Sequence, residues 1–232
     1  MANLLGVTTP PEGAAAFAAR LFTALGPSAL PRMATDSAFG WETFPFERDG
    51  LRPKELGGLV DTEPDRAGEG ARRGCSLGGC VDSAGSSQRW PVGWRDDAWQ
   101  VKIAPPSGSP LVLILEPLRH VDVPDYTEQE AARHGVLLSA LMRAVEALPS
   151  VGRCQILRSG DGAAHGHTWL VARPARLPQV RGSWLILWDE LLPPVPEAVR
   201  DANAAFVMER LALTCGGTVP PLDATGSARL WW

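Results

Sequence analysis

From Ala163 the chain reads Ala163-Ala164-His165-Gly166-His167-Thr168-Trp169-Leu170-Val171-Ala172, and the fold hangs on that run. Its apolar second half predicts a strand over residues 165–172. Residues two apart in a strand share a face, so His165 and His167 would project together, with Trp169 next on the same side. The loop before them, Arg158-Ser159-Gly160-Asp161-Gly162, is rich in small residues that let backbone N–H groups approach an anion. Arg158, Ser159, Asp161 and Gly162 are therefore candidate substrate-binding residues. The plainer alternatives are a solvated strand-end charge for Arg158 and turn roles for Ser159 and Asp161.

Working outward, residues 153–157 read as a further strand. Upstream of it, Thr127-Glu128-Gln129-Glu130 is a capping box, in which the Thr hydroxyl accepts the N3 amide proton and Glu130 reaches back. The helix it opens places Ala132, Val136, Leu137, Ala140, Leu141, Ala144, Val145 and Leu148 on one stripe, and Pro149 ends it. His134 falls off that stripe and reads as a solvated surface residue. Residues 98–104 alternate Trp99, Val101 and Ile103, the pattern of a half-buried strand. Residues 111–115 form a short apolar run between prolines, and the two segments pair as an antiparallel hairpin or meander.

Downstream, residues 177–194 interleave Gln179, Arg181, Ser183, Trp184 and Trp188 with apolar side chains. Arg181 is a candidate phosphate contact and Trp188 a candidate base-stacking residue; a hydrophobic cover over the sheet is the alternative. A last helix is expected over residues 196–213, stopped by Gly216-Gly217. The expected fold class is α+β: an antiparallel sheet with one long helix packed on it, plus an N-terminal extension. The chain divides into an extension over residues 1–72, with a helix at 12–25, an aromatic arm at 40–49 and a connector at 51–74, and a domain over 73–232. The terminal Trp231-Trp232 pair is expected to dock on the body or on a partner subunit.

Of the four histidines, His120 follows one apolar strand and His165 opens another. Cys75 and Cys80 flank Ser76-Leu77-Gly78-Gly79, a turn whose small residues let both sulfurs face one point. Two thiolates and two imidazoles make a tetrahedral set that suits zinc, so Cys75, Cys80, His120 and His165 are the candidate metal ligands. Cys154 and Cys215 read as small core residues.

Composition narrows the partners. The net charge of −4 is spread without long runs of one sign, which argues against a nucleic-acid tract or an anionic membrane surface. No run of 18 apolar residues exists, so no transmembrane helix is expected. The N-terminus lacks a basic region and Arg20 interrupts its apolar stretch, so a cytoplasmic location with reduced thiols is expected.

Trp94-Arg95-Asp96-Asp97, then Val112-Leu113-Ile114-Leu115-Glu116-Pro117-Leu118-Arg119-His120, the Asp125-Tyr126-Thr127 helix start and residues 160–174 together resemble the histidine-triad superfamily. That superfamily carries His-x-His-x-His followed by two apolar residues. Here His165 and His167 match the first two histidines, and Arg173 falls where relatives often carry arginine. The chain further resembles zinc-containing relatives, including the galactose-1-phosphate uridylyltransferase branch, which bind zinc through a cysteine pair, a histidine matching His120 and the first triad histidine.

The resemblance implies a nucleotide hydrolase or nucleotidyltransferase in which His167 attacks an α-phosphorus and forms a nucleotidyl-histidine, with zinc structural. It implies a nucleotide or nucleotide-conjugated small molecule as partner, and a homodimer as a possible assembly. Trp169 stands at the third triad position, where hydrolase branches have histidine and the uridylyltransferase branch glutamine; it is a candidate catalytic or packing residue. An indole can donate a hydrogen bond but cannot deliver a proton as an imidazolium does. Leu157, Ala163 and Ala164 also replace the usual amide-bearing residues, which favours transfer or a specialised substrate over general dinucleotide hydrolysis. Two alternatives stay open: a degenerate protein that binds without turnover, and a catalytic zinc on Cys75, Cys80 and His120 with His165 or His167 as base.

Overall fold

Strands β1 (Val92–Arg95), β2 (Trp99–Ile103), β3 (Val112–Pro117), β4 (Val151–Leu157) and β5 (Thr168–Pro174) form one antiparallel sheet in the order β1-β2-β3-β5-β4. The computed structural model describes residues 6, 9–25, 61–69, 75 and 90–221. Cys80, the aromatic arm at 40–49 and the Trp231-Trp232 pair lie outside the described residues.

The expected pairing of the second and third strands is present, with Val101 opposite Leu115 and Gln100 opposite Glu116. After β3 the chain crosses one face as helix α2 (Glu128–Glu146) before returning as β4. Thr127 caps α2 through the capping box, both of whose bonds form. Strand β5 then inserts between β3 and β4, placing Ile114 opposite Trp169 and Leu115 opposite Thr168.

The α+β class holds, and the last helix expected over residues 196–213 is present. Helix α4 (Glu197–Cys215) matches α2 in length and shares its face of the sheet. Leu137, Leu141 and Val145 of α2 and Val207, Met208 and Leu211 of α4 close over Val101, Leu113, Leu115 and Leu170. Each such side chain contributes about 1.5–3 kcal/mol on full burial. Val136, expected on the buried stripe, is exposed instead, because the contact of α2 narrows to Leu137, Ala140, Leu141, Ala144 and Val145.

The opposite face is covered too. Phe17 and Leu21 of helix α1 (Ala14–Leu25) meet Trp90, Val112, Ile114, Trp169 and Val171 there. Residues 180–195, including the short helix α3 (Leu185–Leu191), complete the cover through Val180, Leu185, Leu192 and Val195. Asp189 pins this segment: its buried carboxylate accepts from Ser107 Oγ at 2.8 Å and the Ser109 amide at 2.7 Å. With both faces covered, all five residues of β2 are buried, not alternate ones as the period-two pattern suggested. No helix among the described residues is long and apolar enough to cross a membrane.

Candidate active site

Antiparallel pairing sends the chain entering β5 alongside the chain leaving β3, and this brings the histidines together. The His165-Gly166-His167 segment precedes β5 rather than opening it, because its bonds run to the turn beyond β3. The Gly166 amide donates to the Val121 carbonyl at 2.8 Å, and His165 Nε2 donates to the Pro117 carbonyl at 2.8 Å. Gly166 leaves room for Tyr126: a Cβ there would sit 2.3 Å from the Tyr126 hydroxyl, and the tyrosine would have to shift.

His165 is buried, and its ring lies 5.3 Å from that of His120 in an edge-on arrangement. Because the Pro117 carbonyl can only accept, Nε2 carries the proton and Nδ1 presents its lone pair. Nδ1 faces the Cys75 sulfur at 3.2 Å. Ligand atoms of Cys75, His120 and His165 all lie within 4.8 Å of one another. Burial, opposed by the Pro117 hydrogen bond, holds the His165 imidazole down at about 4, so it is neutral near pH 7. A thiol and two imidazoles converging on one point, one of them oriented by a backbone carbonyl, is a donor set that fits zinc.

His167 is half-buried and its Nδ1–H donates to the His165 carbonyl at 2.7 Å. That bond fixes the tautomer and leaves Nε2 with its lone pair. Trp169 lies buried on the cover side, edge-on to Trp90 with ring centroids 5.6 Å apart, and its ring stands 6.5 Å from that of His167.

The loop residues are arranged differently from the expectation of a free anion cradle. Ala67, in the connector, bridges Ala163: its amide donates to the Gly162 carbonyl, and its carbonyl accepts from the Ala164 amide at 2.9 Å. The Ala164 and Gly166 amides are thus committed within the chain. Gly68, beside it, has φ +95°, and a Cβ there would press on the His120 ring. Arg158 donates to Asp122 Oδ1 at 2.6 Å, while Arg66 donates to Asp122 Oδ2 at 2.7 Å and to the Gly160 carbonyl, and pairs with Glu69. Burial works to raise the Asp122 carboxyl, but hydrogen bonds from Arg66, Arg158 and the Val123 amide hold it below the ordinary value. Ser159, Asp161, Gly162 and Arg181 are exposed, and no hydrogen bond joins them to His165 or His167 among the described residues.

Four features escaped the sequence reading. His134 is not a surface residue: its ring packs against Trp99 and Tyr126, and its Nε2 lies 3.0 Å from Thr168 Oγ1. Burial lowers its pKa. The Arg66–Asp122–Arg158 clamp joins residues far apart in sequence, and Tyr126 over Gly166 depends on how α2 begins. The fourth is a buried polar row of Gln100, Lys102 and Glu116, each 1–2% exposed, on the face that carries Trp169. Two signals for it existed: a lysine between Val101 and Ile103, and a glutamate ending the run Val112-Leu113-Ile114-Leu115.

No family model matches this chain, and no curated protein does. Among solved structures it is similar to a Hit-like protein involved in cell-cycle regulation from Bartonella henselae, at 13% identity over 52% of this chain and 87% of that one, with a TM-score of 0.39. A hypothetical histidine triad nucleotide-binding protein from Sulfolobus tokodaii is 11% identical over 54% of this chain and 87% of its own, with a TM-score of 0.41. A Zn-bound histidine triad family protein from Mycobacterium smegmatis is 15% identical over 58% of this chain and 91% of its own, also with a TM-score of 0.41.

Proposed function

We propose that this chain is a histidine-triad-type enzyme that hydrolyses or transfers a nucleoside monophosphoryl group through a nucleotidyl-histidine on His167. The observation that carries this reading is the 2.7 Å bond from His167 Nδ1–H to the His165 carbonyl. It places a ring proton on Nδ1, which leaves Nε2 as the nitrogen that can attack. In the first step Nε2 forms a bond to the α-phosphorus and the leaving group departs. In the second, water or another acceptor takes the phosphoryl group and Nε2 recovers its lone pair.

His165, Cys75 and His120, with Cys80 as the fourth ligand, would hold a zinc ion. That zinc would act as a cross-link between the Cys75 segment and the ends of β3 and β5. Arg158, Ser159, Asp161 and Gly162 on the loop, and Arg181 at the edge of the cover, are assigned to the phosphate and the leaving group. Arg158 is held by Asp122 and still faces solvent, so it keeps donors for an anion.

Intact mass after incubation with a panel of nucleotides tests the reading. A nucleoside-monophosphate adduct is expected on the wild type and should be missing from His167→Asn. Absence of both adduct and turnover would favour binding without catalysis, the reading supported by Trp169 packed on Trp90 at the third triad position. For zinc, about one equivalent of bound metal is expected, and less than half would count against the site. His165→Ala should lower both metal content and melting temperature.

A further inference from the structure

The row of buried polar groups lies next to His167. The ladder of β3 and β5 ends with Ile114 opposite Trp169 and Leu115 opposite Thr168, and the next residues along the two chains are Glu116 and His167; His167 lies near enough for its charge to act on the Glu116 carboxyl. In the register of β2 and β3, Gln100 faces Glu116 on the other side. Gln100 and Glu116 therefore form one cross-strand row on the cover face of the sheet, Lys102 reaches into it diagonally, and His167 sits just beyond the end of the β3–β5 ladder next to it.

The two oxygens of Glu116 are not equivalent. Oε1 accepts from Gln100 Nε2 at 2.6 Å and pairs with Lys102 Nζ. Oε2 is buried and has no hydrogen-bond partner among the described residues. Leaving a carboxylate oxygen orphaned in a low-dielectric interior is costly, and such groups are kept where they are used. A second orphan lies on the same face: Trp90 Nε1, whose ring packs on Trp169, is also buried and has no hydrogen-bond partner among the described residues. Trp169 links this second orphan to the site, with its ring 5.6 Å from that of Trp90 and 6.5 Å from that of His167.

We propose that Glu116 is the proton carrier of this site, replacing the titratable group that Trp169 cannot supply. The proposal rests on the nucleotidyl-histidine reading of His167. As the Nε2–P bond forms and the P–O bond to the leaving group breaks, the proton on Glu116 Oε2 passes to the departing oxygen. In the second step the Glu116 carboxylate takes a proton from the attacking water or hydroxyl as the new P–O bond forms. The P–N bond breaks, its electron pair returns to Nε2, and Glu116 is protonated again. Gln100 and Lys102 hold Oε1, which keeps Oε2 as the oxygen that exchanges the proton. Burial pushes the Glu116 carboxyl up, against the pull of Lys102 and Gln100, in the direction an acid needs. The substrates favoured by this arrangement are nucleoside 5′-monophosphate esters and anhydrides whose leaving groups require protonation.

Leaving-group dependence tests the role. The full-length protein is given p-nitrophenyl and n-propyl esters of nucleoside 5′-monophosphates. Wild type should cleave the two at rates within about tenfold, since the enzyme supplies the proton that propanol needs. In the first, adduct-forming turnover Glu116→Gln should lose about 10²–10³-fold on the propyl ester and less than about fivefold on the p-nitrophenyl ester. The p-nitrophenyl ester should also make the nucleotidyl adduct accumulate, because its breakdown lacks a base. Equal losses on both esters would overturn the proton role while leaving the His167 adduct in place. No adduct from either ester on the wild type would overturn the His167 reading, and this role with it. Should Glu116→Gln not fold, the wild type decides the question: a steep fall in rate with rising leaving-group pKa overturns the proposal.

Discussion

On the side facing α2 and α4 the sheet presents Trp94, Val101, Ile103, Leu113, Leu115 and Leu170 without a charge among them. On the other side the same strands present Gln100, Lys102 and Glu116 among Val112, Ile114, Trp169 and Val171. Both sides are buried, so exposure does not explain the difference. Apolar contacts stabilise the first side through desolvation and close packing. The second side carries an ion pair whose desolvation cost offsets most of its attraction. A purely hydrophobic row there would serve stability at least as well. Its position near His167 is the reason the proposed chemistry is placed on that face.

The largest expected effect separates chemistry from stability at a single residue. His167→Asn should reduce turnover by at least about 10³-fold while shifting the melting temperature by no more than about 2 °C. Activity above a tenth of wild type in stopped assays would dissolve the functional distinction between the faces. Next comes the ion pair. Lys102→Met takes from Glu116 Oε1 one of the two groups that hold it and should cost about 1–3 kcal/mol in urea unfolding. Lys102→Met combined with Glu116→Leu should recover that loss and still fail to turn over the propyl ester. If the double variant stays as unstable as the single one, the polar row is a source of stability after all.

The apolar side gives the reciprocal result. Leu141→Ala, at a fully buried position of α2, should cost about 2–5 kcal/mol, with adduct formation per folded molecule unchanged. A smaller effect is expected at Asp122, at the rim. Its folded pKa lies below the ordinary 3.8, so its contribution is fully present above that value. It is lost as pH falls through the lower folded value. Asp122→Asn should cost about 1–3 kcal/mol at pH 7 and flatten that acid limb in urea midpoints measured from pH 2 to 6. An unchanged limb would show that Arg66 and Arg158 do not rely on Asp122.

Much of this was legible before any coordinates. The capping box at Thr127 marked the start of α2, because capping is satisfied by residues three apart and needs no tertiary partner. The strand at residues 98–104 was legible as a strand, yet its two-sided burial was not: that depends on α1 and residues 180–195, which cover the second face from distant parts of the chain. His134 was misread for the same reason. Its place off the apolar stripe was visible, but the Trp99 and Tyr126 rings that enclose it come from other elements.

The sequence by itself determined most of the elements, the antiparallel pairing of β2 with β3 and the candidate chemistry of His165, His167 and the Cys75–His120–His165 set. Those depend on periodicity, caps and residue type, which act over a few positions. Only the tertiary structure decided that Ala67 bridges the loop expected to cradle an anion, that Asp122 holds both Arg66 and Arg158, and that Glu116 lies beside the point where His167 leads into β5. These are consequences of register and of contacts across dozens of residues. A one-residue slip of β3 against β5 would turn Glu116 to the other face and remove it from the site without changing a letter of the chain.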